Sequence, residues 1–579
     1  MLSASKVSLS FVLALTLSAQ NQTAGLHRLF ASEWDYDMEQ SPMRASFQGD
    51  LRWNDRWPDL SLAAIERRHQ HDTAVLTRLH AFDRAKLSIA DQLNYDLFEQ
   101  SYQRRIEEHG FHWYFIPLNQ REGIQAFNPN QLPFSTSKHY VDWMAPMMLF
   151  PAYLDQTIAL MKEGIRARIL EPKIVMERIP AQIDAQIPAD PTQSPFYKPF
   201  LKFPNSMPAH ERELLSAAAK QTIELQVIPA YRRLKQFFVT EYLPASFDHV
   251  GVWQVPNGDA LYAHLVRLHT TTNLTPAQIH EIGLHEVARI RDEMETVMAK
   301  AGFRGTRAEF FNFLRTDPRF YYKTPDELLN AYRAFAKRID PNLVKVFRIL
   351  PRTPYGVEPI PAAIAPDTTT AYYSQPAGDG SRAGTYFVNL YRPETRPIWE
   401  MTALSLHEAV PGHHIQIALA MELGDVPNFR RFEHFTAFTE GWGLYAESLG
   451  EEMGLYDDPY AKFGQLTYQM WRAVRLVVDT GIHSMHWDRQ KAVDYFMENA
   501  PKTELDVTNE VDRYIAWPGQ ALAYKIGELK IKELRAKSQA ALGAKFDLRE
   551  FHNIVLGSGG IPLDILERNV DAWIAKQKY

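Results

Sequence analysis

The sequence contains, at residues 405–416, the stretch Ser405-Leu-His-Glu-Ala-Val-Pro-Gly-His-His-Ile-Gln416. Neutral imidazoles and carboxylates hold zinc in hydrolytic sites, which also keep one coordination position open for water beside a general base. His407, Glu408 and His413 supply these residue types close together. The stretch therefore predicts a zinc centre in which Glu408 takes a proton from water.

The spacing of the two histidines differs from the familiar pattern, in which they stand four residues apart on one face of a helix. Pro411 occupies that fourth position, and on a regular helix His413 would lie roughly 240° around the axis from His407. Because proline lacks an amide donor and clashes with the carbonyl four residues back, the helix must bend there. We expect a widened turn at Val410-Pro411-Gly412 that returns His413 to the metal.

His414 is the alternative second ligand. It lies on the same helix face as His407 but about 10.5 Å along the axis, a long reach for two bonds of about 2.1 Å to one ion. A third ligand is expected from the helix that begins Phe438-Thr-Glu-Gly-Trp-Gly-Leu-Tyr-Ala-Glu447. Glu440 and Glu447 share one face of that helix, so either could reach the metal, and we prefer Glu440.

Four motifs together resemble a known family. They are Gly384-Thr-Tyr-Phe-Val-Asn-Leu-Tyr391, the His-Glu-x-x-Pro-Gly-His-His-x-Gln pattern, Glu-Gly-Trp-Gly-Leu-Tyr-Ala-Glu, and Arg513-Tyr-Ile-Ala-Trp-Pro-Gly-Gln-Ala-Leu-Ala-Tyr524. They resemble the bacterial family catalogued as domain of unknown function 885, over most of the chain after residue 30. That family is grouped with the glutamate-zincin peptidases, alongside angiotensin-converting enzyme, thimet oligopeptidase and the Taq-type carboxypeptidases.

The resemblance implies a mainly α fold, a two-lobed helical shell around a deep cleft with a small β element at the active site. It implies that His407, His413 and Glu440 hold Zn²⁺, since the related carboxypeptidases use the first glutamate of a similarly spaced pair. The likeness to angiotensin-converting enzyme suggests Tyr514 as the hydroxyl donor to the oxyanion, with Tyr524 as the alternative. One preorganised donor of this kind contributes about 3 to 4 kcal/mol.

Composition narrows the class of protein and of metal site. Hydrophobic residues at 45% and charged residues at 23% of 579 residues are ordinary for a globular protein. A net charge of −6 without a basic run argues against a nucleic-acid partner. Because the chain has no cysteine, disulfides, thiol nucleophiles and thiolate ligands are excluded, and His, Asp and Glu must hold any metal.

The N-terminus has the pattern of a signal peptide. Lys6 precedes an apolar centre of about 13 residues, which ends in small residues at Ala19. We expect cleavage near Ala19-Gln20, which divides the chain into a signal peptide at 1–19 and a single two-lobed catalytic domain at 20–579. The apolar run is shorter than the roughly 20 residues that span a bilayer, so we expect a periplasmic or secreted protein without membrane contact after cleavage. Lipoprotein processing is excluded because no cysteine follows.

A short β-rich segment, Thr385-Tyr-Phe-Val-Asn-Leu-Tyr391, precedes the zinc stretch and predicts a strand. An exposed strand edge beside a zinc site would hold an extended peptide by backbone pairing, whereas an ordinary core strand is the equally weighted alternative. The substrate-binding candidates are Tyr386, Val388, Asn389 and Arg513.

The remaining chain is predicted to be largely helical, at 30–110 and 141–300, with a loop between them and Pro-rich turns at 188–208. Thr275-Pro-Ala-Gln278 predicts a helix start. His280 and His285 in that helix imitate a metal motif, but their rings would lie about 140° apart.

Charged residues also interrupt an apolar helix near residue 475. Because burying an unpaired charge costs several kcal/mol, each should be paired or face a cleft, and a structural ion pair is the usual outcome. Meeting a substrate carboxylate is the alternative. These residues are Arg472, Arg475 and Asp479.

The residues together predict a zinc metallopeptidase of the oligopeptidase or carboxypeptidase type, with peptides as substrates. Glu408 would transfer the proton of water to the leaving amine, and zinc and Tyr514 would share the charge on the oxyanion. A metal-dependent amidohydrolase acting on a non-peptide amide would use the same residues. The third hypothesis is a periplasmic binding protein of the same fold without catalysis.

Overall fold

A computed structural model describes residues 4–129, 132–362, 365, 369–376 and 382–578, with residues 4–21 described as backbone only. The chain divides into two compact units. The first consists of Met1–Val250, Gln254–Gly258 and Pro427–Phe429, and the second of Gly251–Trp253, Asp259–Val426 and Arg430–Tyr579. The candidate zinc residues all belong to the second unit.

The first unit is built from helices. They are α1 (Ala4–Gln40), α2 (Pro42–Phe47), α3 (Leu62–Leu79), α4 (Ile89–His109), α5 (Ser137–Ala167), α6 (Lys173–Met176), α7 (Ile179–Asp184), α8 (Ala209–Thr222), α9 (Ile228–Phe237) and α10 (Leu243–Ala245). One of its buried clusters joins α1, α3 and α4 through side chains that include Phe30, Val75 and Phe98. Apolar residues at helical spacing produce this packing, because they align on one face of each helix.

From Gly258 onward the chain again forms mostly helices. They are α11 (Gly258–Thr270), α12 (Pro276–Lys300), α13 (Arg307–Thr316), α14 (Pro325–Ile339), α15 (Met401–Glu408), α16 (His413–Met421), α17 (Asn428–Phe432), α18 (Thr436–Ser448), α19 (Gly450–Met453), α20 (Pro459–Ser484), α21 (Arg489–Asn499), α22 (Glu504–Ala516), α23 (Ala523–Leu542), α24 (Leu548–Leu556) and α25 (Leu563–Lys578). The prediction of a mainly α fold is confirmed.

A three-stranded sheet lies beside α15. Its strands are β1 (Tyr355–Pro359), β2 (Ala371–Ser374) and β3 (Gly384–Val388), in the order β1-β3-β2. β3 pairs in parallel with β1 and antiparallel with β2. The predicted strand therefore exists, and of its two alternatives, an exposed edge and a core strand, the structure favours the core strand, because both edges of β3 are paired.

A close contact between α18 and α23 fixes the position of α18, which packs against α15. Helices α18 and α23 cross with their backbones touching, because a Cβ on Gly441 would lie 2.5 Å from Cα of Gly527 and a Cβ on Gly527 would lie 1.8 Å from the carbonyl oxygen of Ala437. Side chains larger than hydrogen cannot occupy these two positions without separating the helices. This crossing holds the N-terminal half of α18, which carries Glu440, at a set position.

A buried ion network joins α12, α20 and α23. The ammonium of Lys525 lies 2.8 Å from Glu286, 2.7 Å from Glu528 and 2.5 Å from the amide oxygen of Gln469. Because each helix contributes one partner, the network sets the three helices relative to one another while it satisfies the buried charges.

The predicted helix start at Thr275 is confirmed. Thr275 caps α12, accepting from the Gln278 amide at 3.2 Å, and Gln278 accepts from the Thr275 amide at 2.9 Å. No described helix is long and apolar enough to cross a bilayer. The signal peptide stays a prediction: residues 1–3 lie outside the described residues, and 4–19 form the first part of the α1 backbone.

Candidate metal centre

The helix that carries the zinc motif is interrupted at the proline. α15 ends at Glu408 and α16 begins at His413, and the backbone at Ala409 (ψ −110°) and Gly412 (ψ −123°) is not helical. We expected a widened turn, and the structure instead breaks the helix over four residues, 409–412. A Cβ on Gly412 would lie 1.9 Å from the carbonyl oxygen of His407, so only glycine permits this close approach.

The break is held by a residue of α18. The indole nitrogen of Trp442 donates to the carbonyl oxygen of Pro411 at 2.9 Å, and the Val410-Pro411 peptide bond is cis. Sequence reasoning did not assign a role to Trp442, although its place in the Glu-Gly-Trp-Gly motif was a signal that it lies near the site.

Three side chains converge beside this break. One ligand atom from each of His407, His413 and Glu440 lies within 4.8 Å of the other two, and no other such group occurs among the described residues. Oε2 of Glu440 is 3.4 Å from Nε2 of His407 and 3.6 Å from Nε2 of His413. The two imidazole rings are nearly perpendicular, at 84°, with centroids 4.7 Å apart.

Glu447 contacts the opposite side of His407. Its Oε1 lies 2.9 Å from Nδ1 of His407, and the carboxylate is fully buried. A carboxylate at Nδ1 keeps the proton on that nitrogen and leaves Nε2 able to bind a metal. Nη2 of Arg472 lies 3.6 Å from the same carboxylate oxygen. Glu447, the alternative ligand from the sequence, therefore orients a ligand instead of joining the converging group.

The amide of Gln416 lies beside His413. Its Nε2 is 2.9 Å from Nδ1 of His413 and donates to the carbonyl oxygen of Thr439 at 2.8 Å. In this orientation the amide donates to Nδ1, so a neutral His413 carries its proton on Nε2. Coordination through Nε2 requires the amide oxygen to face Nδ1 instead.

His414, the other candidate from the sequence, points away from the converging group. Its Nδ1 lies 2.9 Å from the hydroxyl of Tyr373 on β2, and its Nε2 lies 3.1 Å from the carbonyl oxygen of Thr353. Burial lowers its pKa to about 4, so the ring is neutral. The structure thus brings His413, not His414, to Glu440.

The charges of the site are strongly coupled. Burial alone would lower the pKa of His407, but the carboxylates of Glu440, Glu447 and Glu408 raise it to about 9. Burial opposes ionisation of Glu440, yet the imidazoles of His407 and His413 hold its pKa well below the usual range. Burial raises the pKa of Glu408, and the two imidazoles lower it part of the way back. The site therefore favours positive charge between its carboxylates.

This donor set fits a zinc ion. A tetrahedral ion with bonds of about 2.1 Å places its ligand atoms about 3.4 Å apart, close to the two measured separations from Oε2 of Glu440. With neutral imidazoles, the carboxylates of Glu408, Glu440 and Glu447 outnumber the single guanidinium of Arg472. A divalent cation would balance that excess of negative charge.

Tyr514 and Arg513 lie in a different cluster. The Tyr514 hydroxyl is fully buried, donates to Glu510 at 2.8 Å and accepts from Arg475 at 3.1 Å and from Trp471 at 3.3 Å. These hydrogen bonds do not include the three converging residues. The suggested role of Tyr514 as oxyanion donor stays a prediction that its contacts do not support.

The candidates on and after β3 have structural contacts. Tyr386 and Val388 are fully buried, and the Tyr386 hydroxyl lies 3.4 Å from Oγ of Ser405. The amide of Asn389 donates to the carbonyl oxygen of Ala365 at 2.8 Å. Because these side chains are buried, their role in substrate binding stays a prediction that burial does not support, and the contact of Tyr386 with Ser405 joins β3 to α15.

The structure also places three other histidines, His280, His285 and His552. Nδ1 of His280 lies 2.8 Å from the Thr480 hydroxyl, while His285 is exposed, so the two do not converge. His280 is only 6% exposed. His552 is fully buried between the Tyr445 hydroxyl and a backbone carbonyl.

Two solved structures are similar over nearly the whole chain. A crystal structure described as that of "the putative lipoprotein from Colwellia psychrerythraea" is 29% identical, with a TM-score of 0.90, and the match covers 96% of this chain and 99% of that one. A structure from Shewanella oneidensis, described as "a putative lipoprotein of unknown function", is 16% identical, with a TM-score of 0.70 and coverage of 94% and 99%, and shows likeness of fold alone.

Comparison of sequences gives a family. No curated protein matches the chain at a significant level. The model of the family described as "Bacterial protein of unknown function (DUF885)" matches residues 42–570. Because this match spans most of the chain, the protein belongs to the DUF885 family of bacterial proteins, as the four motifs suggested.

Proposed function

We propose that the protein is a zinc-dependent peptidase that hydrolyses peptide bonds in oligopeptides. The observation that carries this proposal is the convergence of His407, His413 and Glu440 within 4.8 Å, with Glu408 directly after the first histidine. Zinc held by these three residues would supply the positive charge that makes water a nucleophile near neutral pH.

The protein's own residues would divide the proton transfers and the support of the site. Glu408 is half-buried and has a raised pKa, which suits a base that accepts a proton from water and donates it to the leaving amine. Glu447 holds the His407 ring through Nδ1, and the Arg472 guanidinium lies 3.6 Å from the Glu447 carboxylate. Trp442 fixes the turn that aims His413.

The test combines metal analysis with digestion of a mixed peptide library by the purified protein. We expect one zinc per chain and time-dependent cleavage, with products identified by mass. A Glu408→Gln variant should retain zinc and lose about 10²- to 10⁴-fold in kcat. Glu451→Gln, at an exposed glutamate, is the matched control and should cleave normally. Less than stoichiometric zinc, or normal cleavage by zinc-loaded Glu408→Gln, would refute the proposal.

Export belongs to the same proposal. The two similar structures are described as lipoproteins, and the N-terminus of this chain has a charged start and an apolar centre. Since the chain has no cysteine, it would be exported without lipid on cysteine. Mass spectrometry of the protein recovered from the periplasm should show a mature chain that begins near Gln20. An intact Met1 in that fraction would contradict cleavage at this site.

A further inference from the structure

We propose that Arg475 and Arg513 form a subsite for the terminal carboxylate of a peptide substrate. The inference rests on the proposed peptidase function and deepens it, because it makes the protein an exopeptidase that acts at the carboxyl end of its substrate. The two guanidiniums belong to the second unit, on α20 and α22, and are not part of the converging zinc residues.

The cluster holds two cations on one shared anion. Arg475 and Arg513 are only 5% and 7% exposed. Nη2 of Arg475 lies 3.0 Å from Oε2 of Glu510, and Nη1 of Arg513 lies 3.2 Å from the same oxygen. Because a buried charge is stabilised only by a well-placed counter-charge, a second carboxylate would balance the remaining positive charge.

One donor of the cluster has no acceptor among the residues that the structure describes. Nη1 of Arg475 is buried and makes no hydrogen bond to a described residue, whereas Nε donates to the Tyr514 hydroxyl at 3.1 Å and Nη2 donates to Glu510. Buried donors in folded proteins nearly always have a partner, so this one indicates a missing acceptor. A carboxylate oxygen is the strongest acceptor for a guanidinium.

The cluster is open on one side. The Glu510 side chain is 17% exposed, and Trp471, Gln520 and Tyr524 are each partly exposed. The guanidinium of Arg475 lies over the Tyr524 ring, 4.5 Å from its centroid. Two aromatic rings therefore border the entrance and could contact the side chain next to a bound carboxylate.

A second acidic residue near the cluster, Asp479, already accepts hydrogen bonds from other groups. Oδ1 of Asp479 accepts from the Tyr262 hydroxyl at 2.6 Å and from the Gly519 amide at 3.0 Å. Burial raises its pKa to about 7. The charge of Arg513 acts against this rise in the pKa, but among the described residues Asp479 forms no ion pair with either guanidinium and is not the missing acceptor of Arg475.

Helix α20 connects this cluster to the zinc candidates. Arg472, one turn before Arg475, lies 3.6 Å from Glu447, whose Oε1 is 2.9 Å from Nδ1 of His407. Three residues of helix separate the two arginines by about 4.5 Å along the axis. Helix α20 thus runs from a residue that contacts the support of His407 to the arginine cluster, and in this proposal a peptide whose carboxylate is held by Arg475 presents a bond near its carboxyl end to Glu408.

The first test measures carboxylate binding without chemistry. The metal-free protein is titrated by calorimetry with 3-phenylpropionate and with 3-phenylpropionamide, neither of which contains a peptide bond. We expect the acid to bind at least about 10-fold more tightly than the amide. Arg475→Gln should weaken binding of the acid about 10- to 100-fold and leave the amide unchanged. Glu510→Gln, which removes the competing carboxylate, should strengthen binding of the acid.

Each other outcome overturns the subsite. It is refuted if acid and amide bind alike, if neither binds, or if Arg475→Gln binds the acid as the wild type does. If Arg475→Gln does not fold, Glu510→Gln decides, because an unchanged affinity for the acid in that variant also refutes the subsite.

The second test uses the zinc-loaded protein and one peptide with either a free or an amidated carboxyl end. We expect a KM for the free acid at least about 10-fold lower, and a loss of that preference in Arg475→Gln without an equal loss in kcat. Acid binding by calorimetry without any peptide cleavage would refute the peptidase and retain the subsite. Cleavage with equal KM values, and no discrimination by calorimetry, would refute the subsite and retain the peptidase.

Discussion

The Nδ1 atoms of the two candidate ligands face different partners, and this difference sets what each ring can do. Nδ1 of His407 faces a buried carboxylate, which favours the tautomer that binds metal through Nε2. Nδ1 of His413 faces the amide of Gln416, which can present either a donor or an acceptor. His407 is therefore held ready for a metal, while His413 becomes ready only after its neighbour changes orientation.

Replacing Glu447 tests the support of His407. We expect Glu447→Gln to raise the dissociation constant for zinc about 10- to 100-fold, because the carboxylate that selects the ring tautomer is lost. Competition with a chromogenic chelator measures this constant. The exposed Glu452→Gln serves as the matched control, and equal zinc affinity in the two variants would contradict the role of Glu447.

The adjacent histidines allow a direct comparison of ligands. We expect His413→Ala to lose stoichiometric zinc. His414→Ala should retain zinc but lose about 1 to 3 kcal/mol of unfolding free energy, because it leaves partly buried groups at Tyr373 and Thr353 without their partner. Metal analysis and urea unfolding of both variants check this, and the reverse pattern would assign His414 to the metal.

The ligand types, but not their arrangement, could be predicted from the sequence. A chain without cysteine leaves imidazole and carboxylate as possible metal ligands, and this selected the stretch whose side chains converge with Glu440. Periodicity could not separate Glu440 from Glu447, since both lie on one face of α18. The structure separates them because one faces the Nε2 atoms and the other faces Nδ1 of His407.

At the level of the element, the site is made by a helix that stops and starts again. α15 and α16 are separated by four residues, and the gap lets histidines six positions apart meet at one carboxylate. Pro411 and Gly412 act differently: proline ends the helix, and glycine permits the following backbone to approach His407.

Substituting the glycine tests this account of the break. In Gly412→Ala the new Cβ would meet the His407 carbonyl at 1.9 Å, and backbone atoms cannot move aside as a flexible side chain does. We expect a loss of about 3 kcal/mol or more of unfolding free energy and a loss of zinc binding. Gly424→Ala is the control, because nothing lies within 4 Å of its added Cβ and the change should stay within about 0.5 kcal/mol. Similar behaviour of both variants in urea unfolding would contradict the close approach.

Strand β3 shows that a local sequence pattern cannot predict which segments will pair with a strand. β3 was predicted from its β-rich composition, but its partners β1 and β2 come from a segment rich in Pro, Thr and Gly that carries no strand pattern. Without partners, the sequence could not say whether β3 was central or at an edge. Pairing between distant segments decided this, and it moved the predicted substrate-binding side chains into the core.

On the scale of the whole molecule, buried charges are placed where helices meet. Glu286 and Glu528 face Lys525, so that α12, α20 and α23 share one network. Burial raises the pKa of both carboxyls, but the hydrogen bond from Arg289 and the charge of Lys525 lower the pKa of Glu286 to about 2, and Lys525 and Lys532 lower that of Glu528 to about 2. Helix periodicity predicted the class of fold, but pairings of this kind between distant residues could not be predicted from one sequence.

Acid sensitivity follows from that network. A folded-state pKa below the unfolded value of about 4.3 contributes stability that is present above pH 5 and is lost as the pH falls toward 2. For Glu528 this amounts to about 3 kcal/mol at most. Urea unfolding between pH 7 and pH 3 should show a smaller loss of stability on acidification in Glu528→Gln than in the wild type. The exposed Glu293→Gln is the control, and identical pH dependence in all three proteins would contradict the role of Glu528.

The glycine contact between α18 and α23 fixes the distance between the two parts of the proposed site. α23 carries Tyr524 beneath the Arg475 guanidinium and, one turn later, Gly527 against the backbone next to Glu440. No side-chain layer separates the two helices at this crossing. The distance between the proposed cleavage site beside Glu440 and the proposed carboxylate subsite at Arg475 is therefore fixed by the backbones of α18 and α23. Under the proposed function, the fragments released would then all have the same length, whatever the length of the substrate peptide.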